Sequence, residues 1–216
     1  MRRLLAVVLI AATASGCAGR TGAARTAVAS SDWRQLFDGV TLDGWEPVGT
    51  AVWRVEQGAL VGGQDGDPKR SGLIATRERF TDFELSLEFM IDEHGKYNSG
   101  VYLRNVPGAR DRTGYQVNIG RAAVAEYTGG IYTDRWLAKG DETDAVRRPL
   151  AWNQLHILAR GPHLEVTLNG KKVVDFTDPT PVPGFLAPGV IALQTYGAEG
   201  HSGWVKFRSM RIRELR

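Results

Sequence analysis

Phe83-Glu84-Leu85-Ser86-Leu87-Glu88-Phe89-Met90-Ile91 decides the fold class. Phe83, Leu85, Leu87, Phe89 and Ile91 stand at alternate positions, with Glu84, Ser86, Glu88 and Met90 between them. A helix would space its apolar residues by three and four. Period two is the pattern of a strand with one buried face. The pattern recurs downstream. Val101 and Leu103 alternate with Tyr102 and Arg104, Tyr115, Val117 and Ile119 with Gln116 and Asn118, and Ile191 and Leu193 with Gln194 and Tyr196 beyond.

Working outward, strands are predicted at Val52–Val55, Ala59–Gly62, Gly72–Ala75, Phe83–Ile91, Gly100–Arg104 and Tyr115–Ile119. Others are predicted at Trp152–Ala159, Leu164–Leu168, Val173–Phe176, Val190–Tyr196 and Trp204–Arg213. Gly, Asp, Asn and Pro separate the runs, and no long helical pattern occurs. Many short strands with turn residues between them predict an all-β antiparallel sandwich or barrel. Leu168-Asn169-Gly170-Lys171 predicts a hairpin, because Asn-Gly accepts the positive φ of a type I′ turn.

The 216-residue chain begins with Met1-Arg2-Arg3, an apolar run over Leu4–Ala12 and the small residues Thr13-Ala14-Ser15-Gly16 before Cys17. That is the layout of a secretion signal, and the run is too short for the roughly 20 residues a bilayer needs. Cys17 is the only cysteine, which excludes an intramolecular disulfide. Residues 1–17 are therefore expected to be a lipoprotein-type signal with Cys17 lipidated, 18–31 a flexible tether, and 32–216 the folded domain. Residence in a bacterial envelope follows, with membrane contact only through the lipid. The formal charge of +3 includes Arg2, Arg3, Arg20 and Arg25, which precede the first acidic residue. The remainder is near neutral, with no dense basic run, so nucleic acid is not an expected partner.

If the alternating strands share one sheet, its outward face carries Glu84, Ser86, Glu88, Tyr102, Arg104, Gln116, Asn118, Gln194 and Tyr196. Amides, Arg and aromatic rings suit a sugar, which offers hydroxyls at its edges and C–H on its faces. Asp92, Glu93 and His94 form a polar cluster without recognised metal-ligand spacing.

Several phrases carry a resemblance. They are Leu36-Phe37-Asp38-Gly39 with Leu42-Asp43-Gly44-Trp45, Asp82 to Phe89, Asn98-Ser99-Gly100-Val101-Tyr102-Leu103-Arg104 and Gly114-Tyr115-Gln116-Val117-Asn118-Ile119. Trp152-Asn153, Leu168-Asn169-Gly170, Ile191-Ala192-Leu193-Gln194 and Phe207 to Ile212 complete the set. In this order the chain resembles the 3-keto-disaccharide hydrolase family from about Leu36 to Leu215. The resemblance implies a concanavalin A-like jelly-roll β-sandwich of the lectin/glucanase type. It also implies an exported enzyme acting on glycosides whose C3 hydroxyl is oxidised to a ketone, with a glycoside 3-oxidoreductase as functional partner. Many relatives carry Glu at the position of Gln116, and His after the Leu-Gln where Thr195-Tyr196 stand here.

A C3 ketone acidifies the C2 proton and lies β to the anomeric oxygen, so elimination followed by hydration gives net hydrolysis. Such a site needs a base and an oxyanion donor. Glu88 is the expected base, Arg104 the oxyanion or hydroxyl ligand, and His201 a third catalytic candidate. Tyr102, Gln116, Asn118, Tyr132, Asp134, Gln194 and Tyr196 are the expected substrate ligands. Trp136 is a stacking candidate on the rim. No organic cofactor is expected, and a divalent ion stays open.

Two rivals remain. Glu84-Leu85-Ser86-Leu87-Glu88 resembles the paired-carboxylate strand of β-glucanases of the same fold. Its ends, however, lie about 13 Å apart along a strand, where retaining catalysis wants roughly 5–5.5 Å. A non-catalytic carbohydrate-binding module would use the same polar face.

Overall fold

This computed structural model describes residues 33–94, 97–109, 113–196 and 202–215. Alternation becomes strands throughout. In chain order they are β1 (Arg34–Gln35), β2 (Trp45–Gly49), β3 (Val52–Glu56), β4 (Ala59–Gly63), β5 (Ser71–Thr76), β6 (Phe83–Ile91), β7 (Asn98–Asn105) and β8 (Tyr115–Ile119). There follow β9 (Ile131–Tyr132), β10 (Trp136–Ala138), β11 (Asn153–Arg160), β12 (His163–Leu168), β13 (Lys171–Thr177), β14 (Val190–Tyr196) and β15 (Trp204–Glu214). Every run predicted above is a strand, within two residues at either end. The four additions are β1, β2, β9 and β10. Three of them are too short to show a period. β2 contains Pro47 and sits at a sheet edge, where a missing N–H costs least.

All pairings are antiparallel, and the strands form two sheets. The first has the order β13-β12-β11-β6-β15-β4-β3, with β1 also on β15; the second is β10-β9-β8-β7-β14-β5-β2. The fold is a lectin-type β-sandwich. Its core joins Phe83, Leu85, Leu87, Phe89 and Ile91 of β6 to Val101, Leu103, Tyr115, Val117, Ile119 and Leu193 of the second sheet. Each of the five β6 side chains is at most 1 % exposed, and each such burial stabilises by about 1.5–3 kcal/mol. The predicted hairpin forms, with Asn169 at φ 49° and Gly170 at φ 83° and Leu168 paired to Lys171.

Much of the motif set turns out to hold the frame. Trp45 Nε1 donates to Leu36 O at 2.8 Å. Asp38 accepts from the Val40 and Thr41 amides. Asn169 Nδ2 donates to Asn153 Oδ1 and to Val146 O, each at 2.8 Å. Asn153 Nδ2 in turn donates to Arg148 O and Ala151 O.

One expectation fails at this level. The polar faces of β6 and of β7, β8 and β14 do not share a sheet. β6 pairs with β11 and β15, whereas β7 lies between β8 and β14 in the opposite layer. Alternation assigns a residue to a face of its strand, but the chain crosses from layer to layer between Ile91 and Asn98. Glu84, Ser86 and Glu88 therefore stand on the far side of the sandwich from Gln116 and Gln194.

Candidate functional site

The outward face of the second sheet forms the site. Register sets Gln116 between Tyr132 and Tyr102 on neighbouring strands. Asn118 and Gln194 both flank Gly100, and Asn98 lies beside Tyr196. Gly100 is needed there: a Cβ at this position would lie 2.3 Å from Gln116 Nε2. The bare backbone lets the Gln116 side chain lie across β7 from one neighbouring strand toward the other. Above this floor is a pocket of about 310 Å³, walled by Asn98, Glu126, Tyr132, Trp136 and Tyr196 as well as Tyr102.

The amides form a directed chain. Gln116 Nε2 donates to Gln194 Oε1 at 3.0 Å and to Asn118 Oδ1 at 3.3 Å. Asn118 Nδ2 donates onward to Glu126 Oε2 at 3.1 Å. With its Oε1 engaged, Gln194 turns its own N–H donors away from Gln116. Glu126 is half-buried. Burial pushes its carboxyl above the ordinary value of 4.5, and hydrogen bonds from Asn98 and Asn118 only partly offset this. A carboxylate short of water is a stronger base than a solvated one. Asn98 Oδ1, on the same wall, is buried without a partner among the described residues.

Glu126 lies on no strand, and the irregular stretches on either side of β9 and β10 are pinned largely by charge. The buried Arg147 guanidinium pairs both oxygens of Glu93 through NH1 and NH2, and its Nε donates to Asp144 at 3.1 Å. Asp144 Oδ2 accepts the Ala122 amide at 2.9 Å, and Arg121 donates to Glu93 O at 2.7 Å. Asp141 accepts the amides of Ala145, Val146 and Arg147. Trp136 is set against Tyr127 and Tyr132, with ring centroids 5.1 and 5.0 Å apart, making an aromatic wall beside the pocket.

Tyr102, Gln116, Asn118, Tyr132, Gln194 and Tyr196, expected as substrate ligands, are brought together in this pocket, as is Trp136. Asp134 is not: it is exposed and lines a separate cavity with Arg135 and Phe185. His201 and Cys17 lie outside the described residues.

Glu88 and Arg104 require correction. Glu88 is across the sandwich, accepting from Arg208 Nε at 2.8 Å and from Ser209 Oγ at 2.9 Å. Burial pushes its carboxyl up, but these two donors hold it below the ordinary range, so it is a poor base. Glu84 is likewise occupied, by Arg213 at 2.5 Å and His156 at 3.0 Å, which leaves the glucanase-like pair without a free carboxylate. Arg104 points inward. A bulge in β7 opposite Ile191 puts it at φ 56° and reverses its direction. Arg104 is 1 % exposed, its guanidinium donating to Thr81 O, to Gly161 O at 2.8 Å and to Asp82 at 3.1 Å. It is a structural cation beneath the sheet, not a ligand on it.

Sequence reasoning passed over Glu126 and Asn98. The available signal was a lone carboxylate in the small-residue run Ala122-Ala123-Val124-Ala125 that follows a polar-faced strand. Of the Asp92–His94 cluster, Glu93 is the partner of Arg147, and Asp92 accepts the His94 amide at 3.0 Å. A different group, His163, Glu165 and Asp175, has metal-ligand proximity among the described residues. Lys172 Nζ already sits there, 2.7 Å from Glu165 and 2.9 Å from Asp175.

The family model described as 3-keto-alpha-glucoside-1,2-lyase-like domain matches residues 32–213. A candidate glycosyl hydrolase from Parabacteroides distasonis is similar at 21% identity and TM-score 0.63, covering 85% of this chain and 94% of that one. A second from the same organism reaches 27% identity and TM-score 0.59, over 86% and 84%. The carbohydrate-binding module CBM66 from Bacillus subtilis shares the fold at 16% identity and TM-score 0.58, over 79% and 96%. No curated protein matches by sequence.

Proposed function

Because the chain belongs to the 3-keto-alpha-glucoside-1,2-lyase-like domain family, we propose that its second-sheet pocket cleaves glycosides carrying a ketone at C3. The observation that carries this reading is Glu126, a carboxylate of raised basicity facing a pocket of amides and aromatic rings. Glu126 removes the C2 proton, and the C2–H electron pair forms an enolate whose charge rests on the C3 oxygen. Gln194 offers N–H donors to that oxygen. The enolate re-forms the ketone, a C1–C2 double bond forms and the C1–O bond breaks. The leaving oxygen takes a proton from solvent, and Glu126 releases its own. Water then adds, with hydroxyl to C1 and a proton to C2, so the sum is hydrolysis. The amides and rings bind the sugar's hydroxyls and C–H faces throughout.

We also propose that the domain is exported and held at the bacterial envelope by a lipid on Cys17, and that an oxidoreductase of glycoside C3 hydroxyls supplies its substrate. The catalytic reading is tested by offering the protein matched 3-keto and unoxidised glucosides and following aglycone release. Release from the keto form alone, lost in Glu126→Gln, supports it. Equal release from both forms contradicts it. Binding of either sugar without turnover would instead make this a carbohydrate-binding module.

A further inference from the structure

A sheet face turned outward usually carries polar groups, yet Leu73, Ala75, Val190 and Ala192 project from this one. None of them is more than 6 % exposed. Together with Tyr102 they make a second apolar cluster, separate from the core. Beside it lies a cavity of about 340 Å³ with Val48, Ala75 and Val190 along it and Arg77, Arg79 and Glu46 on its walls. Arg77 and Arg79 are exposed, and neither guanidinium has a carboxylate partner among the described residues. Glu78 between them is taken by Arg34 at 2.6 Å.

Strand register supplies a ruler from the pocket to this cavity. Gln116, Tyr102, Ala192, Ala75 and Glu46 are successive cross-strand neighbours on β8, β7, β14, β5 and β2. Strands lie about 4.8 Å apart, so Ala75 is about 10 Å from Tyr102. Tyr102 belongs to both features: it lines the sugar pocket and packs in the apolar cluster. The opposite exit is walled off. Tyr132 and Trp136 of the β9–β10 hairpin face the pocket, while Thr133, Arg135 and Leu137 of the same hairpin line another cavity. Tyr102 thus stands, among the described residues, between the pocket and the cavity that Val48, Ala75 and Val190 line beside the two arginines.

We infer that the Arg77–Arg79 cavity is the leaving-group subsite, and that it takes an aromatic aglycone bearing a carboxylate and joined to the sugar through its phenol oxygen. This rests on the proposed reading of the pocket. The ring lies against Val48, Ala75 and Val190, the apolar residues that line the cavity, and the carboxylate meets the two guanidiniums, whose planar forks of donors match it. Two cations face one anion, Glu46, so the wall favours a single negative charge. The chemistry agrees, because a phenolate is a better leaving group in elimination than an alkoxide.

The test compares 4-carboxyphenyl and 4-carbamoylphenyl 3-keto-glucosides as substrates of the wild type and of Arg77→Ala/Arg79→Ala. The wild type is expected to prefer the carboxylate, and the ratio of kcat/KM values should fall about tenfold in the variant, or about 1.4 kcal/mol. No preference in the wild type, or an unchanged ratio in the variant, would overturn the inference. If neither compound is turned over, the catalytic reading fails separately. The subsite is then judged by calorimetric binding of the two unoxidised glucosides, with the same carboxylate preference and the same loss required.

Discussion

At the scale of single residues, two glutamates have opposite surroundings. Glu88 is held by Arg208 and Ser209 and is more acidic than usual. Glu126 is half-buried against amides and is less so. Glu126→Gln should lower kcat/KM by about 10²- to 10⁴-fold, the range for a positioned general base. Glu88→Gln should leave it within about twofold and change stability by about 0–1 kcal/mol, as for an exposed ion pair. The acid limb of the kcat/KM profile should lie above the ordinary glutamate range, because the deprotonated form is the active one. Stability runs the other way. With its native pKa raised, Glu126 keeps its proton longer in the folded state than in the unfolded chain. Its contribution is fully present below the unfolded value of 4.5 and lost as pH rises through the native value. Glu126→Gln should therefore melt higher than wild type at neutral pH, with the gap closing on acidification. A thermal melt series in pH checks this, and a gap that widens toward acid would contradict it.

At the scale of elements, catalysis depends on how the β8–β11 segment is tied down. Arg147 joins Glu93, before β7, to Asp144, which caps the Ala122 turn next to Glu126. Arg147→Met should reduce kcat by between about 10- and 100-fold through misplacement of Glu126, and amide exchange across 121–128 should accelerate. Unchanged exchange would show that the segment is held by other means. The strands around this segment were legible in the sequence, because period two is imposed by burial of one face. The stretch that carries Glu126 was not: part of its order comes from ion pairs between residues far apart in sequence, which leave no local period. Arg104 was misread for a related reason. Its bulge is set by pairing with β14 and carries no glycine or proline to announce it.

At the scale of the whole molecule, the division into two sheets separates frame from site. Strand faces could be read from alternation, but the layer each strand joins could not, since β6 pairs with β11 and β15 rather than with β7. This is why the polar residues of the second sheet were found and a base was sought on the first. Arg104 shows the cost of the frame. It ties β7 to Thr81 and Asp82 before β6, to the β11–β12 turn at Gly161 and to Phe185. Arg104→Met should destabilise the domain by about 3 kcal/mol in urea unfolding, the cost of stripping one partner from a buried pair. Turnover per folded molecule should survive, whereas an inactive but fully stable variant would restore Arg104 to the site.

The central claim is that Glu126 takes the C2 proton. It is tested most directly by NMR of a 3-keto-glucoside cleaved in D₂O, read against non-enzymatic exchange. The account predicts deuterium at C2 of the released sugar with the wild type, and neither cleavage nor exchange with Glu126→Gln. Cleavage that leaves the original proton on C2 would contradict it.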